Sequence, residues 1–377
     1  MRYQNVCIES LGYTLPDEIV SSEEIERRLE PLYRHLRLPS GRLELMTGIR
    51  ERRFWPAGAM PSDKSAESAE KAICAAGIDR TTIGALIHAS VCRDHLEPAT
   101  ACRVHHLLGL SHRCMIYDLS NACLGLLNGM IQVANMIELG HIRAGLVVGT
   151  EVGRHLVENT IESLNADQSL TRRQIKLAIA SLTIGSGSCA VLLVDRRASV
   201  TDNRMVAATV RTDTRHHKLC HSGADEAVGG GMRPLMQTDS ERLMHEGLRT
   251  GAETFPDFLA DCGWSRDDLD CTVCHQVGAT HRKLMLEAFG LDERKDFATL
   301  QWLGNTGSVA LPITMAVAME RNCIRPGDRV GMLGIGSGIN CLMIAAQLQR
   351  SLVLSQLSPA KSPAARRGQD MRVKLEA

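Results

Sequence analysis

Three residues of this 377-residue chain combine type and setting in a way that suits acyl-transfer chemistry: Cys123, His275 and Asn305. Cys123 closes the stretch Ser120-Asn121-Ala122-Cys123, between an apolar strand-like run and a long apolar helical pattern that starts near Leu124. A thiol at such a turn faces the positive end of a helix dipole and free backbone amides. Both favour the nucleophilic thiolate and draw a thiol pKa down from ~8.5 toward neutrality. The same geometry offers a backbone N–H to a developing oxyanion. His275 ends another apolar run, in Cys274-His275-Gln276-Val277, and Asn305 lies in Gly304-Asn305-Thr306-Gly307. Taken singly, these read as a buried cysteine, a core histidine and a turn asparagine. Together they supply a thiolate to attack a thioester carbonyl, with imidazole and carboxamide N–H groups to stabilise the negative charge that follows.

The elements that must position them alternate along the chain. Strand-like runs are expected at Ala85–Ser90, Cys114–Leu119, Leu146–Thr150, Ser188–Val194, Arg204–Val210, Cys271–Cys274, Arg329–Gly334 and Asn340–Ala346. Helical patterns fall at Ser22–Leu36, Ser62–Ala76, Thr100–Leu108, Leu124–Leu139, Ser169–Ala180, Glu241–Asp261, Ala279–Phe289 and Val309–Arg321. Such interleaving predicts an α/β architecture with right-handed crossovers. A shift of 182 residues lays Cys123–Gly145 over Asn305–Gly327 without a gap, and identical pairs run from Gly125/Gly307 to Gly145/Gly327. A second block, Gly77–Arg80, falls on Gly263–Arg266 at nearly the same shift. Repetition at half the chain length means two copies of one α/β unit. The expected division is 1–200, carrying the nucleophile, and 201–350, carrying His and Asn, with 351–377 as a mobile tail. Equivalent turns of two such halves should face one another, which would bring Cys123 and Asn305 to one pocket.

Composition narrows the partners. Equal numbers of basic and acidic residues, 43 each, argue against a general polyanion binder. Aromatics at 3% leave little for a stacking platform, so no nucleic acid is expected. No apolar run approaches the ~18 residues of a membrane span. Thirteen cysteines in apolar segments, after an N-terminus without a signal-like apolar core, predict reduced thiols in a cytoplasmic protein.

Other motifs carry less. Cys271-Thr272-Val273-Cys274 has CxxC spacing, but in a strand its two thiols point to opposite faces, so no metal is expected there. His105-His106 and His216-His217 are adjacent and lack the i,i+4 spacing of a metal-binding helix face. Gly185-Ser186-Gly187 and Gly334–Gly338 are followed by strands, so neither has the helix N-terminus a phosphate cradle needs.

The chain resembles the thiolase superfamily and, within it, the ketoacyl synthase III-like condensing enzymes. The likeness runs from about Arg2 to Leu348 through Gly48-Ile49-Arg50-Glu51-Arg52, Asn121-Ala122-Cys123, His275-Gln276, Gly304-Asn305-Thr306 and Gly334-Ile335-Gly336-Ser337-Gly338. It implies a five-layered αβαβα fold of two duplicated halves and a homodimer, with Cys123 as acyl acceptor and His275 and Asn305 at the condensation site. Three departures from the fatty-acid-initiating ketoacyl synthases stand out: Gly278 where an asparagine would meet pantetheine, Ser337 within the late glycine loop, and the segment 90–100. All three look like the OleA-type enzymes, which join two long-chain acyl-CoA molecules head to head. In that branch a glutamate from the partner subunit, matching Glu97, serves as base; on residue type alone Glu97 would be a helix N-terminal acid beside Pro98.

The resemblance therefore implies non-decarboxylative Claisen condensation of two fatty acyl-CoAs to a β-keto acid or thioester. CoA thioesters are substrates, Arg50 is a candidate for the CoA phosphates, and the backbone N–H of Ser337 is a candidate oxyanion donor. No metal or redox cofactor and no stable membrane insertion are expected. Two rivals remain: a ketoacyl synthase III that takes malonyl-acyl carrier protein and decarboxylates it, and a non-catalytic thiolase-fold subunit of a biosynthetic complex. A degradative thiolase fits less well, because no second cysteine is placed as its proton-transfer acid.

Overall fold

The computed structural model describes residues 1–167, 169–223 and 235–355. Its main strands are β1 (Val6–Thr14), β2 (Ile83–His88), β3 (Met115–Asp118), β4 (Ala144–Glu151), β5 (Gly187–Asp195), β6 (Arg204–Thr212), β7 (Cys271–Cys274), β8 (Asp296–Phe297), β9 (Arg329–Gly336), β10 (Asn340–Gln347) and β11 (Val353–Leu354). The spatial order is β8-β7-β9-β10-β6-β1-β5-β4-β2-β3, and β11 lies parallel beside β1. Outward from the centre, one half reads β1-β5-β4-β2-β3 and the other β6-β10-β9-β7-β8. The path is the same with every number raised by five. In each half the two inner pairings are antiparallel and the two outer ones parallel. β1 and β6 are paired at a single position, Cys7 with Arg204. The sheet is thus two five-stranded copies that meet at their centre, where the residues before β1 add a second bridge, Arg2 with Ala207.

Helices fill the space around them: α1 (Pro61–Ala76), α2 (Thr100–Leu108), α3 (Gly125–Glu138), α4 (Arg154–Ala166), α5 (Ser240–Cys262), α6 (Ala279–Phe289) and α7 (Ala310–Glu320). Side chains alternate across each strand, so both faces of a doubly covered strand must be apolar. On β5, Cys189, Val191 and Leu193 join the core of α3 and α7, while Ala190, Leu192 and Val194 join that of α1 and α2. On β10, Leu342, Ile344 and Ala346 face the same central core. Cys341, Met343 and Ala345 turn instead to Phe255, Phe258, Met285 and Phe289 of α5 and α6. The layers are therefore α1/α2, sheet, α3/α7, sheet, α5/α6, the five-layered fold expected. α7 is buried on every side from Ala310 to Met319, as an apolar helix between two sheets must be.

The differences from expectation have local causes. The helix expected at Ser22–Leu36 is two, Ser22–Arg28 and Glu30–Leu36. Pro31 lacks an N–H and fits only a first turn, so the chain restarts there. The helix expected at Ser169–Ala180 shortens to Arg172–Lys176 and Ile179–Leu182, the first begun by a capping box between Thr171 and Gln174. Two small ladders, Glu18–Ser21 with Glu51–Phe54 and Cys220–Ser222 with Met236–Thr238, were not expected, and neither was α4. The start of the expected tail is also corrected. Val353–Leu354 pair with Leu11–Gly12, so residues 351–355 belong to the folded body. The rest of that tail, 356–377, lies outside the described residues.

Candidate active site

Cys123 sits two residues before α3, on a turn where the Leu124 N–H donates to the Asn121 carbonyl at 2.9 Å. Ala122 takes a left-handed φ of 44°, which turns the chain sharply enough to present the next side chain. Asn121 fastens this turn to the second copy: its Oδ1 accepts from Nδ2 of Asn340, on β10, at 3.0 Å. The β9–β10 hairpin comes so close that a Cβ on Gly336 would lie 3.0 Å from Leu124 Cγ and 3.7 Å from Cys123 Cβ.

His275 follows β7, with its N–H on the Leu333 carbonyl at 3.1 Å. Gln276 ties this turn to the segment that leads to Asn305. Its Oε1 accepts from Thr299 N and Leu300 N, both at 3.0 Å, and its Nε2 donates back to the Cys274 carbonyl at 2.6 Å. Asn305 N donates to the Thr183 carbonyl at 3.0 Å, and its Oδ1 accepts from Gly307 N at 3.0 Å. With Oδ1 used inside its own turn, Nδ2 is the group left to meet a substrate.

Cys123, His275, Asn305 and Ser337 all line one cavity of about 1820 Å³. Its wall also carries apolar side chains, among them Met46, Leu156, Ile179, Met236, Leu243 and Met244. Both ring nitrogens of His275 are buried without a hydrogen-bond partner among the described residues. Burial, with neighbouring His281 adding, pushes the His275 pKa down to about 3, so the ring is neutral. One expectation is reversed. Cys123 is partly open to the cavity, yet burial of its sulfur pushes the thiol up to about 12, and Cys220 and Glu151 push the same way. Desolvation and a nearby carboxylate outweigh the helix end. In this setting Cys123 is a protonated thiol.

Two expected residues lie elsewhere. Glu97 is exposed and is not among the residues lining the cavity, although Asp94 of the same segment is. Arg50 is exposed too, its N–H on the Gln301 carbonyl at 2.9 Å; the arginines at the cavity are Arg42, Arg93 and Arg172. The CxxC thiols do part, Cys271 to the central core and Cys274 to the outer one, where its Sγ lies 3.0 Å from Asp296 Oδ1. The sequence reading missed Glu151, Cys92, Cys220 and His281, all on the cavity wall. Glu151 left a trace as an acid ending the apolar run Leu146–Thr150, and Cys92 lies within the unusual segment 90–100.

The Cys123 turn and the equivalent Asn305 turn of the second copy, both on one cavity, fit a condensing enzyme of the thiolase type. Comparison with known proteins agrees and goes further. Residues 259–348 match the C-terminal region of 3-oxoacyl-[acyl-carrier-protein] synthase III. An acyl-CoA:acyl-CoA alkyltransferase of Shewanella oneidensis is 45% identical over 91% of this chain and 99% of its own length. One from Xanthomonas campestris is 35% identical over 91% and 98%. A cysteine-to-serine variant of Xanthomonas campestris OleA, solved with lauric acid and lauroyl-CoA, superposes with a TM-score of 0.85 at 34% identity, covering 92% of this chain and 99% of that one. A β-ketoacyl-[acyl-carrier-protein] synthase III of Erythrobacter litoralis is more distant, at 25%. The chain belongs to the OleA-type acyl-CoA:acyl-CoA alkyltransferase family.

Proposed function

We propose that this protein condenses two long-chain fatty acyl-CoAs without decarboxylation, through an acyl group held on Cys123. The observation that carries the reading is the convergence of Cys123, His275 and Asn305 on one large, apolar-walled cavity. A site for one drug-sized ligand spans roughly 300–1,000 Å³. At about 1820 Å³ this cavity has room for a second chain. Both acyl groups arrive as CoA thioesters, and the reaction as written uses no metal or redox cofactor.

Because the resting thiol is protonated, attack on the first acyl-CoA has to be coupled to loss of that proton, which leaves with the departing CoA thiolate. Glu97 then removes an α-proton from the second acyl-CoA, and His275 with Asn305 Nδ2 stabilises the enolate oxygen. The enolate carbon attacks the Cys123 thioester, whose oxyanion lies against the backbone N–H groups of Cys123 and Ser337. Collapse expels the Cys123 sulfur and yields a β-ketoacyl-CoA, which water converts to the β-keto acid and CoA.

Glu97 does not line the cavity of its own chain, and we place it in that of the partner in a homodimer. Two features favour this: β3 is an edge strand, and Met115 on it is 54% exposed, with Leu96 and Leu107 of the neighbouring segment and α2 exposed too. In Xanthomonas campestris OleA, solved structures include variants at a cysteine, a glutamate and a histidine, the three residue types assigned here. The reaction belongs in the cytoplasm, at a branch of lipid biosynthesis supplied with acyl-CoA; among the described residues no helix is long and apolar enough to cross a membrane. Arg50 lies outside the cavity wall and would meet CoA only if its phosphates extend along the surface.

The test is to supply myristoyl-CoA alone and look for the condensed β-keto product and released CoA by mass spectrometry. Turnover with malonyl-acyl carrier protein, and none with myristoyl-CoA alone, would give the assignment to the ketoacyl synthase III reading.

A further inference from the structure

Glu151 ends β4 at the cavity wall, 5% exposed, and the groups on its carboxylate come from both halves of the molecule. Oε1 accepts from Val91 N at 3.0 Å, from Ser308 N at 3.3 Å and from Ser308 Oγ at 2.5 Å. Oε2 accepts from Cys92 N at 3.3 Å. Val91 and Cys92 open the segment that leads to Glu97, and Ser308 closes the turn that holds Asn305. Gly307, between them, sits at φ 57°, and a Cβ there would lie 3.1–3.3 Å from the Glu151 side chain, so the turn is packed directly on this carboxylate. An ionised carboxylate with four donors is a strong, directional anchor, whereas an amide in its place would turn N–H groups toward N–H groups.

We propose that Glu151 is a positioning residue for the condensation: its carboxylate locks the segment leading to Glu97 onto the Asn305 turn, and it sets a negative charge on the wall of the cavity that Cys123 lines. The inference rests on Cys123 as acyl acceptor and Glu97 as base. Burial is the largest influence on the Cys123 thiol, and Cys220 and Glu151 on the same wall add to it, all favouring the protonated form. His275 and His281 face the same space but are held neutral by burial, at about 3 and about 4.

Three variants separate the two roles: Glu151→Gln, Glu151→Asp and Ser308→Ala. Iodoacetamide labelling of Cys123, followed across pH by mass spectrometry of its peptide, reads the charge. Glu151→Gln should label several-fold faster than wild type at pH 8, because a negative neighbour has gone. Glu151→Asp and Ser308→Ala, which keep that charge, should follow the wild-type profile. Myristoyl-CoA reads the positioning. Glu151→Gln should still load Cys123 but make at least tenfold less condensed product per loaded enzyme, with smaller losses in the other two. A wild-type labelling profile in Glu151→Gln would remove the electrostatic role, and loading and condensation slowed in equal measure would leave Glu151 merely structural. If Glu151→Gln does not fold, wild-type condensation in both other variants overturns the positioning role. Should wild type itself make no product from myristoyl-CoA, the functional reading fails, while the labelling arm still decides whether Glu151 governs Cys123.

Discussion

His275 has two buried ring nitrogens with no partner among the described residues, and a buried group left unsatisfied costs roughly 1–3 kcal/mol. A bound thioester oxygen would supply such a partner, and best when it carries enolate charge. His275→Ala and Asn305→Ala should therefore retain acyl loading of Cys123 and lose condensation, by on the order of 10²–10³ for a lost oxyanion donor. Acidity adds a sharper check. Burial holds the His275 pKa near 3, so the ring stays neutral as pH falls through 6.5, the ordinary histidine value. Condensation by wild type should show no falling limb at that pH that disappears in His275→Asn. A limb of that kind would mean that His275 is far better solvated than its surroundings indicate.

At the scale of elements, the parts that sequence made legible are those whose ends are punctuated. α2, β7 and α6 occur with the expected bounds, because Pro98, the Gly109 C-cap, Gly278 and Gly290 mark their limits in the chain. The Cys123, His275 and Asn305 turns were legible for the same reason, each lying where an apolar run gives way to a helix. Glu151 was not, since an acid that ends a strand reads as solvent-facing until Ser308, 157 residues away, is seen to lie on it. Nor was the raised Cys123 thiol pKa, which depends on burial rather than on the helix that follows. Close approach between the halves was hidden too, and it yields a prediction. A valine at 336 would meet Leu124 Cγ, which a Cβ alone already approaches to 3.0 Å. Overpacking of this kind costs typically about 1–3 kcal/mol. Gly336→Val should lower the melting temperature in calorimetry and slow Cys123 acylation, because the displaced hairpin bears on the nucleophile turn. An unchanged melting temperature together with wild-type loading would show that the hairpin yields freely.

The whole molecule poses a question that one chain leaves open, since Glu97 stands exposed outside its own cavity while Cys123 sits inside it. If proton abstraction generates the enolate, Glu97→Gln should leave acyl loading largely intact and sharply reduce condensation, because the amide is nearly isosteric but a far weaker base. With malonyl-acyl carrier protein as donor the same change would be nearly silent, since loss of CO₂ supplies the enolate. Symmetry makes the subunit assignment testable. In a two-fold dimer whose sites each draw Cys123 from one protomer and Glu97 from the other, mixing Cys123→Ala with Glu97→Gln protomers sorts the defects. One site of each mixed dimer carries both substitutions and the other carries neither. After complete exchange at equal concentrations, half the dimers are mixed and each has one intact site, so about a quarter of wild-type activity should return from two inactive parents. Subunit exchange is confirmed independently by native mass spectrometry of differently tagged protomers. Mixed dimers that remain inactive would place Glu97 in the service of its own subunit, or remove it from the chemistry.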